Sequence, residues 1–509
     1  MTDAYDAYDT GAYDTGAYDA DAHDYRRGIR AIWPETERLL STSVTEKLAG
    51  LAERNDRTGR LSDSSVEALR EAGWFGLPVP REFEGGGGSI EECCALQRRI
   101  GAADPALAIA VNMHLFSVGV LVEHWRRERD ESWMLLEAIA GQQRIVGNAF
   151  AEPGLAGALT RSHCTARRAG KEWRVNGVKV PCSLAERSDL LCLQLRDEAG
   201  GPESLLVALV ATDSPGITVE RTWNTLGMRA SESDTVRLRD CAIPDELVFH
   251  RTRPGSQGDE VFAAGLGWFC VSTTACYLGL ISAAVDQARA ALENSRITHL
   301  GAARSELPSF QSALGALLVD VLPLEAACAG LARQLDARTA DPRSLTPALL
   351  ALKCRAAELA TRAVEATSEL VGVASYAATG TASRLLRDAH AARFHPPTRF
   401  ATRQLLGRWA LGLPFTFELN ERSGFGPDER PGFGPDERPG FGPDERPGFG
   451  PDERSGFGPD ERPGFGPDKR PGFGPDERAG FGPDERPSTE RDDRPGTERD
   501  ERPTGGGTR

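Results

Sequence analysis

The chain has 509 residues, 27% of them charged, and a formal net charge of −15 at neutral pH. All but one of those fifteen excess negative charges come from the two ends, residues 1–25 and the stretch after Ser423, so the body between them is close to neutral. A near-neutral body excludes the electrostatic footprint of a nucleic-acid binder. Ten cysteines without a CxxC pair or metal-ligand spacing exclude a structural metal site and a secreted disulfide scaffold.

In chain order, residues 1–25 repeat around AYDTG, with seven Asp and no Lys or Arg. Such a stretch cannot build a core, and it is the reverse of a secretory or transit peptide, which points to a cytoplasmic protein. Residues 26–143 read as a helical domain. SVTEKLAGLAERNDRTGRLSDSSVEALREAG holds two amphipathic helices, the second opening on cap residues and closing on Gly. The run GGGG at 85–88 lacks GxGxxG spacing and a Walker lysine, so it reads as a loop rather than a phosphate cradle.

From 144 to 252 the period changes. RIVGNAFAE, EWRVNGVKVPC, DLLCLQLRD, SLLVALVAT and TVRLRDCAI are short and rich in β-branched residues, and NG, GG and PG turns bound them. They predict a compact all-β module. Helical periodicity returns over 253–420. Its first run, AAGLGWFCVSTTACYLGLISAAV at 263–285, is uncharged for 23 residues, and no second run of this kind stands out. Its length suits a membrane span, but a charged helix continues directly from it. A helix buried on all sides of a bundle is the expectation, with no membrane contact. Residues 421–509 carry eight octapeptides of the PGFGPDER type and a charged end. One Phe per repeat cannot offset the entropy of ordering, so disorder is expected there. The cysteines, most of them in apolar runs such as TACYLGL, are expected to be reduced core thiols.

The motifs of the body resemble those of the acyl-CoA dehydrogenase superfamily of flavoproteins, over about residues 27–415. AFAEPG at 149–154 is similar to its TEPG-type loop, and NGVKVPCS at 176–183 to its NGxKxxIT element. WNTLGMRASESDTVRLRDCAIP at 223–244 is close to the segment that closes its β domain, and SRITHLG with SFQ resembles the start of its C-terminal bundle. The resemblance implies an α+β multidomain fold: a helical N-terminal domain, a middle β-barrel domain and a C-terminal four-helix bundle. It further implies bound FAD, a homotetramer or homodimer, and a small-molecule or acyl-thioester substrate. A flavin reductase or an electron-transfer protein is the implied partner.

Residue by residue, the same resemblance places Ala151 of the AEPG loop, Ser183, and Arg229 and Ser231 of MRAS at the flavin, Ser183 close to N5. Arg296 and Gln311 are implied to reach the flavin diphosphate of a neighbouring subunit, a role that suits a guanidinium. The later family element Q-x-x-G-G-x-G-Y reads ELVGVASY here, with Glu369 and Val373 at a Gln and a Gly, which makes FMN an alternative to FAD.

Dehydrogenation of an acyl thioester needs a base, and the family uses a Glu in a desolvated pocket. One family position for it falls at Pro396–Thr398 here and another at Phe269. Loss of both carboxylates resembles the two-component flavin monooxygenase branch, which takes reduced flavin from a reductase and reacts with oxygen. His395, His114 and Ser183 are then the catalytic candidates, as hydrogen-bond donors in a dry site. Two alternatives stay open: an acyl-CoA or acyl-carrier-protein dehydrogenase with His395 as replacement base, and a non-catalytic scaffold. His124, His163, His250, His299 and His390 read as surface or turn residues, Trp173 as core, and Arg387 with Asp388 as a structural pair at a helix end.

Overall fold

Caps decide where the first helices begin. Ser41 accepts from the Val44 amide at the start of α2 (Thr42–Thr58), and Ser62 does the same for Ser65 at α3 (Asp63–Glu71); a short α1 (Tyr25–Arg30) precedes them. Ser89 and Glu92 form a reciprocal capping box at α4 (Ile90–Ala103), which the GGGG loop feeds. Asp104 accepts from the amides of Ala106 and Leu107 and starts α5 (Pro105–Glu128), whose proline occupies the first turn, where no amide is needed. The short α6 (Trp133–Gly141) ends this helical region. The structure is a computed structural model that describes residues 25–155, 159–256 and 258–415; both terminal repeat tracts lie outside the described residues. Of the two units into which the chain divides, Met1–Phe425 holds all of the described residues.

The β module has eight strands: β1 (Val146–Ala149), β2 (Thr165–Ala169), β3 (Glu172–Cys182), β4 (Leu190–Asp197), β5 (Leu205–Ala211), β6 (Ile217–Glu220), β7 (Asp234–Pro244) and β8 (Val248–Thr252). They run in the order β6-β7-β3-β2-β4-β5-β8, with β1 parallel to β4 on the side. The end strands β6 and β8 are not paired with one another among the described residues. The sheet curls around its own core of Trp173, Val175, Leu193, Leu206 and Val236. β4 and β5 read as near-continuous apolar runs over most of their length because both of their faces are buried there. Trp173 is a core residue as expected, 2% exposed, and its indole donates to Asp245 at 2.7 Å. The NG step in β3 has a steric cause: a Cβ at Gly177, whose φ is +152°, would lie 2.2 Å from Cys164 Sγ.

The C-terminal bundle comprises α7 (Glu260–Asn294), α8 (Pro308–Ala337), α9 (Pro342–Val371), α10 (Thr381–Ala389) and α11 (Arg399–Ala410); a small hairpin of β9 (Arg296–Ile297) and β10 (Ala302–Ala303) follows α7. α7 packs against α4, α5, α8 and α9, and 89% of its most apolar window is inside the protein, which agrees with a helix buried on all sides. Helices α5 and α8 are also long and apolar enough to cross a membrane, so the run at 263–285 is not the one stretch of that kind. Nine of the ten cysteines are buried, all ten are free thiols, and the described residues hold no cluster suited to a metal ion.

Two further sequence expectations need correction. His124 and His250 are buried, not surface residues: their Nδ1 atoms lie 3.2 Å apart, and their Nε2 atoms bond Asp130 and Asp259 at 2.9 Å. Their carboxylate partners sit several residues along the chain, so no local pattern announced the pairing. Arg387 and Asp388 do not pair with each other either. Adjacent residues of a helix point in different directions, so Arg387 reaches Asp56 on α2 while Asp388 turns to the Met228 amide.

Candidate active site

A cavity of about 790 Å3 opens where the β module meets α5 and the segment after α10. That volume falls inside the range of about 300–1,000 Å3 typical of small-molecule sites. Ile109, Met113 and Phe116 come from α5, Asn148–Leu155 and Val180–Ser183 from the β module, and Phe269 and 390–401 from the C-terminal bundle. The walls are mostly apolar, with Trp223, Phe116, Phe150 and Phe269 contributing rings.

The β wall is held by polar groups that satisfy one another. Glu152 is the single carboxylate among the lining residues, and it is fully engaged. It pairs with Lys179, whose side chain is 0% exposed, and it also accepts from Ser162 and from the amides of His163 and Cys164. Burial alone raises its pKa, but the Lys179 charge and these hydrogen bonds outweigh burial and hold it below the usual range. Beside it runs a chain of hydroxyls, Ser183 to Ser233 to Ser231, with 2.8 Å at each step. Three hydroxyl hydrogens serve two internal bonds, so one is left over for a group in the cavity.

The turn at 226–231 is clamped from α10. Arg387 donates to the Leu226 carbonyl at 3.2 Å, and the Asp388 carboxylate accepts from the Met228 amide. Gly227 fits only because it has no side chain, since a Cβ would fall 2.1 Å from the Arg387 carbonyl oxygen. Burial pushes the Asp388 carboxyl up to about 7, against the opposing pull of the Met228 amide and the Arg384 charge. Trp223 is fixed by its own bond from Nε1 to the Met228 carbonyl at 2.8 Å.

The helical wall turns on His395. Residue 395 as a whole is partly exposed, and its imidazole packs against Phe269 and Tyr277 of α7. Its Nε2 is 2.8 Å from Tyr277 Oη, and its carbonyl accepts from Lys353 Nζ at 2.7 Å. Burial, and then the nearby Lys353 charge, pull the imidazole down to about 3. Lys353 in turn is lowered by burial to about 8, and its ammonium ties the His395–Pro397 loop to α9.

The structure gathers four of the candidates, Ala151, Ser183, Ser231 and His395, on this one cavity. His114 is corrected to a core residue. It is 0% exposed, its Nε2 bonds the Phe75 carbonyl at 2.9 Å, and its Nδ1 accepts from the Val146 amide at 3.0 Å. Both ring nitrogens are therefore used within the core, and burial draws the imidazole down to about 4. Arg229 starts the 229–231 turn but is not among the lining residues. Arg296 and Gln311 are exposed and also lie outside the cavity of their own chain. Sequence reading missed Glu152, Lys179, Ser233, Trp223, Tyr277 and Lys353. A lone Lys in an apolar strand, VNGVKVPC, was a usable signal, because a buried ammonium requires a carboxylate nearby.

A flavin fits this site. Its ring system needs an apolar slot with a few fixed polar groups at the edge, and the aromatic walls with the leftover serine hydrogen supply both. Family models agree with the geometry. The N-terminal, middle and C-terminal domains of acyl-CoA dehydrogenase match residues 36–135, 147–241 and 256–399. The chain belongs to the acyl-CoA dehydrogenase superfamily and is a flavin-dependent oxidoreductase.

Among characterised relatives, isobutylamine N-hydroxylase of Streptomyces viridifaciens is 32% identical over 43% of this chain and 60% of that protein. L-evernosamine nitrososynthase of a Micromonospora species is 30% identical over 74% of this chain and 89% of its own length. Among solved structures, KijD3 in complex with FMN and a dTDP-linked amino sugar matches with a TM-score of 0.67 and 26% identity, covering 76% of this chain and 97% of that one.

Proposed function

We propose that this protein is an oxygen-dependent flavin monooxygenase that hydroxylates or N-oxidises a small molecule, using reduced FAD or FMN delivered by a separate reductase. The observation that carries the reading is the state of the cavity's proton-transfer groups. Glu152 is its one carboxylate among the described lining residues and is committed to Lys179, while Pro396 and Phe269, which also line the cavity, are the residues that the sequence resemblance sets against the family's base. Abstraction of an α-proton would fall to His395. An imidazole held near 3 takes up a proton only at large cost at neutral pH, so it is a poor base for that step. As a neutral ring it is well suited to hydrogen bonding. N-hydroxylase and nitrososynthase relatives support the same choice.

Bound flavin supplies two-electron oxidation or oxygen activation at its ring system. The chain's own residues supply the rest. Ser183, Ser233 and Ser231 bind and orient the polar edge, and Phe116, Phe150, Phe269 and Trp223 exclude water, which strengthens every remaining electrostatic contact. Among the described residues no unpaired charge lines the cavity, because Arg387 is engaged by Asp56 and Glu152 by Lys179. The reacting part of the substrate is accordingly neutral, which for an amine means the free base, whose lone pair is the nucleophile. In this reading Arg296 and Gln311 serve a second copy of the chain, in line with their exposure and with the apolar surface at Val319, 74% exposed, and Tyr376, 91% exposed.

An anaerobic titration of the flavin-loaded protein with acyl-CoA thioesters of several chain lengths tests the proposal. The expected result is unchanged oxidised-flavin absorbance. Bleaching by any thioester would overturn the monooxygenase reading in favour of dehydrogenation.

A further inference from the structure

The Tyr277 hydroxyl has one hydrogen-bond partner among the described residues, His395 Nε2 at 2.8 Å. His395 Nδ1 has no protein partner there, and the side chain lines the cavity. These two facts restrict where the imidazole carries its hydrogen. A neutral ring has one N–H and one lone pair, and the group at one nitrogen fixes the tautomer seen at the other. If Nε2 carried the hydrogen, it would donate to Tyr277 Oη. The Tyr277 hydroxyl hydrogen would then be buried without an acceptor, and the desolvation cost of an unmade bond would remain in full. If Tyr277 donates to Nε2, the buried hydroxyl hydrogen is placed, and the one ring hydrogen sits on Nδ1, free for a group bound in the cavity that His395 lines.

We propose that Tyr277 is a positioning residue that holds His395 as its Nδ1–H tautomer, so that the cavity receives a fixed hydrogen-bond donor at this point. Several features preserve the arrangement. Burial raises the Tyr277 hydroxyl well above its ordinary range, so it stays a donor. Lys353 anchors the His395 and Pro397 carbonyls, at 2.7 and 3.1 Å, which fixes the backbone from which the ring projects. Phe269, also on α7, packs edge-on against the ring, with centroids 6.5 Å apart. The donor suits an oxygen atom that gains negative charge during the reaction, since preorganised donors stabilise such charge without reorganisation. That consequence for turnover rests on the monooxygenase reading; the tautomer does not.

The test uses the full-length protein labelled with 15N-histidine, with the His395 signals identified by their loss in His395→Gln. Long-range proton–nitrogen correlation spectra at neutral pH are expected to show a pyrrole-type Nδ1 and a pyridine-type Nε2. In Tyr277→Phe, which removes a single oxygen, the preference is expected to collapse towards Nε2–H or an average of both forms. Reduced flavin consumed in the presence of oxygen is then expected to yield more hydrogen peroxide than in the native enzyme. A pyrrole-type Nε2 in the native protein overturns the inference, as does an unchanged Nδ1–H in a folded Tyr277→Phe. Should the protein give no oxygen-dependent product while the spectra are as expected, the monooxygenase reading fails and the tautomer assignment stands.

Discussion

The two walls of the cavity solve the same problem in opposite ways. On the β side, polar groups are numerous and almost fully consumed by one another: Glu152 takes Lys179, Ser162 and two amides, and three serines share two bonds. On the helical side polar groups are few, and one of them, His395 Nδ1, is left without a protein partner among the described residues. The β wall is thereby a rigid seat, because a fully satisfied buried network has one arrangement. The helical wall keeps one ring nitrogen free for a bound group, the contact that the proposed function gives to His395. Two neutral histidines make the same contrast within the ring type: His114 spends both nitrogens on the core, and His395 spends one.

Breaking the β seat has the largest expected effect. Lys179→Ala leaves the Glu152 carboxylate buried and unpaired, which costs about 3–5 kcal/mol. Urea denaturation should register it, while the pair replacement Glu152→Gln with Lys179→Met should recover most of the loss.

An effect of comparable size separates the two histidines. His114→Ala orphans the Phe75 carbonyl and the Val146 amide, each worth about 1–3 kcal/mol. A calorimetric series in pH adds a sign. The folded-state pKa of His114, about 4, lies below its ordinary 6.5, so its contribution is complete above 6.5 and is lost as pH falls towards 4. Native stability should decline in that window, and His114→Ala should decline less steeply. Some slope remains, because His395 is depressed in the same direction. His395→Ala, in contrast, should keep the fold and lose coupled turnover, seen as hydrogen peroxide released without product.

Ser233→Ala is the mildest change. It opens the middle of the hydroxyl chain and leaves Ser183 and Ser231 without their shared partner, at about 1 kcal/mol in stability. Flavin binding, followed by fluorescence quenching, should weaken by roughly tenfold if one hydrogen bond to the ring edge is lost.

Much of this arrangement was legible in the sequence. Helix caps and strand alternation are local signals, so the order helical, β, helical followed directly from the residues, and AEPG, NGVKVPCS and GMRAS pointed to Ala151, Ser183 and Ser231 on one cavity. The rest depended on long-range pairing. Lys179 and Glu152 are 27 residues apart, and Tyr277 and His395 are 118 apart, so neither partner is named locally, although a lone Lys in an apolar strand signals the need for one. His114 shows the converse limit. A histidine on an apolar helix reads the same whether its ring faces a cavity or meets two backbone groups, and only the fold distinguishes them.

The central claim, that this flavin site reacts with oxygen and does not abstract α-protons, is tested most directly by rapid mixing. Protein with anaerobically reduced FMN or FAD is mixed with oxygenated buffer while full absorbance spectra are recorded. The account predicts an absorbing species distinct from reduced and oxidised flavin that outlasts anything seen with free flavin and decays faster in His395→Ala. Reoxidation with the rate and spectra of free reduced flavin would contradict it.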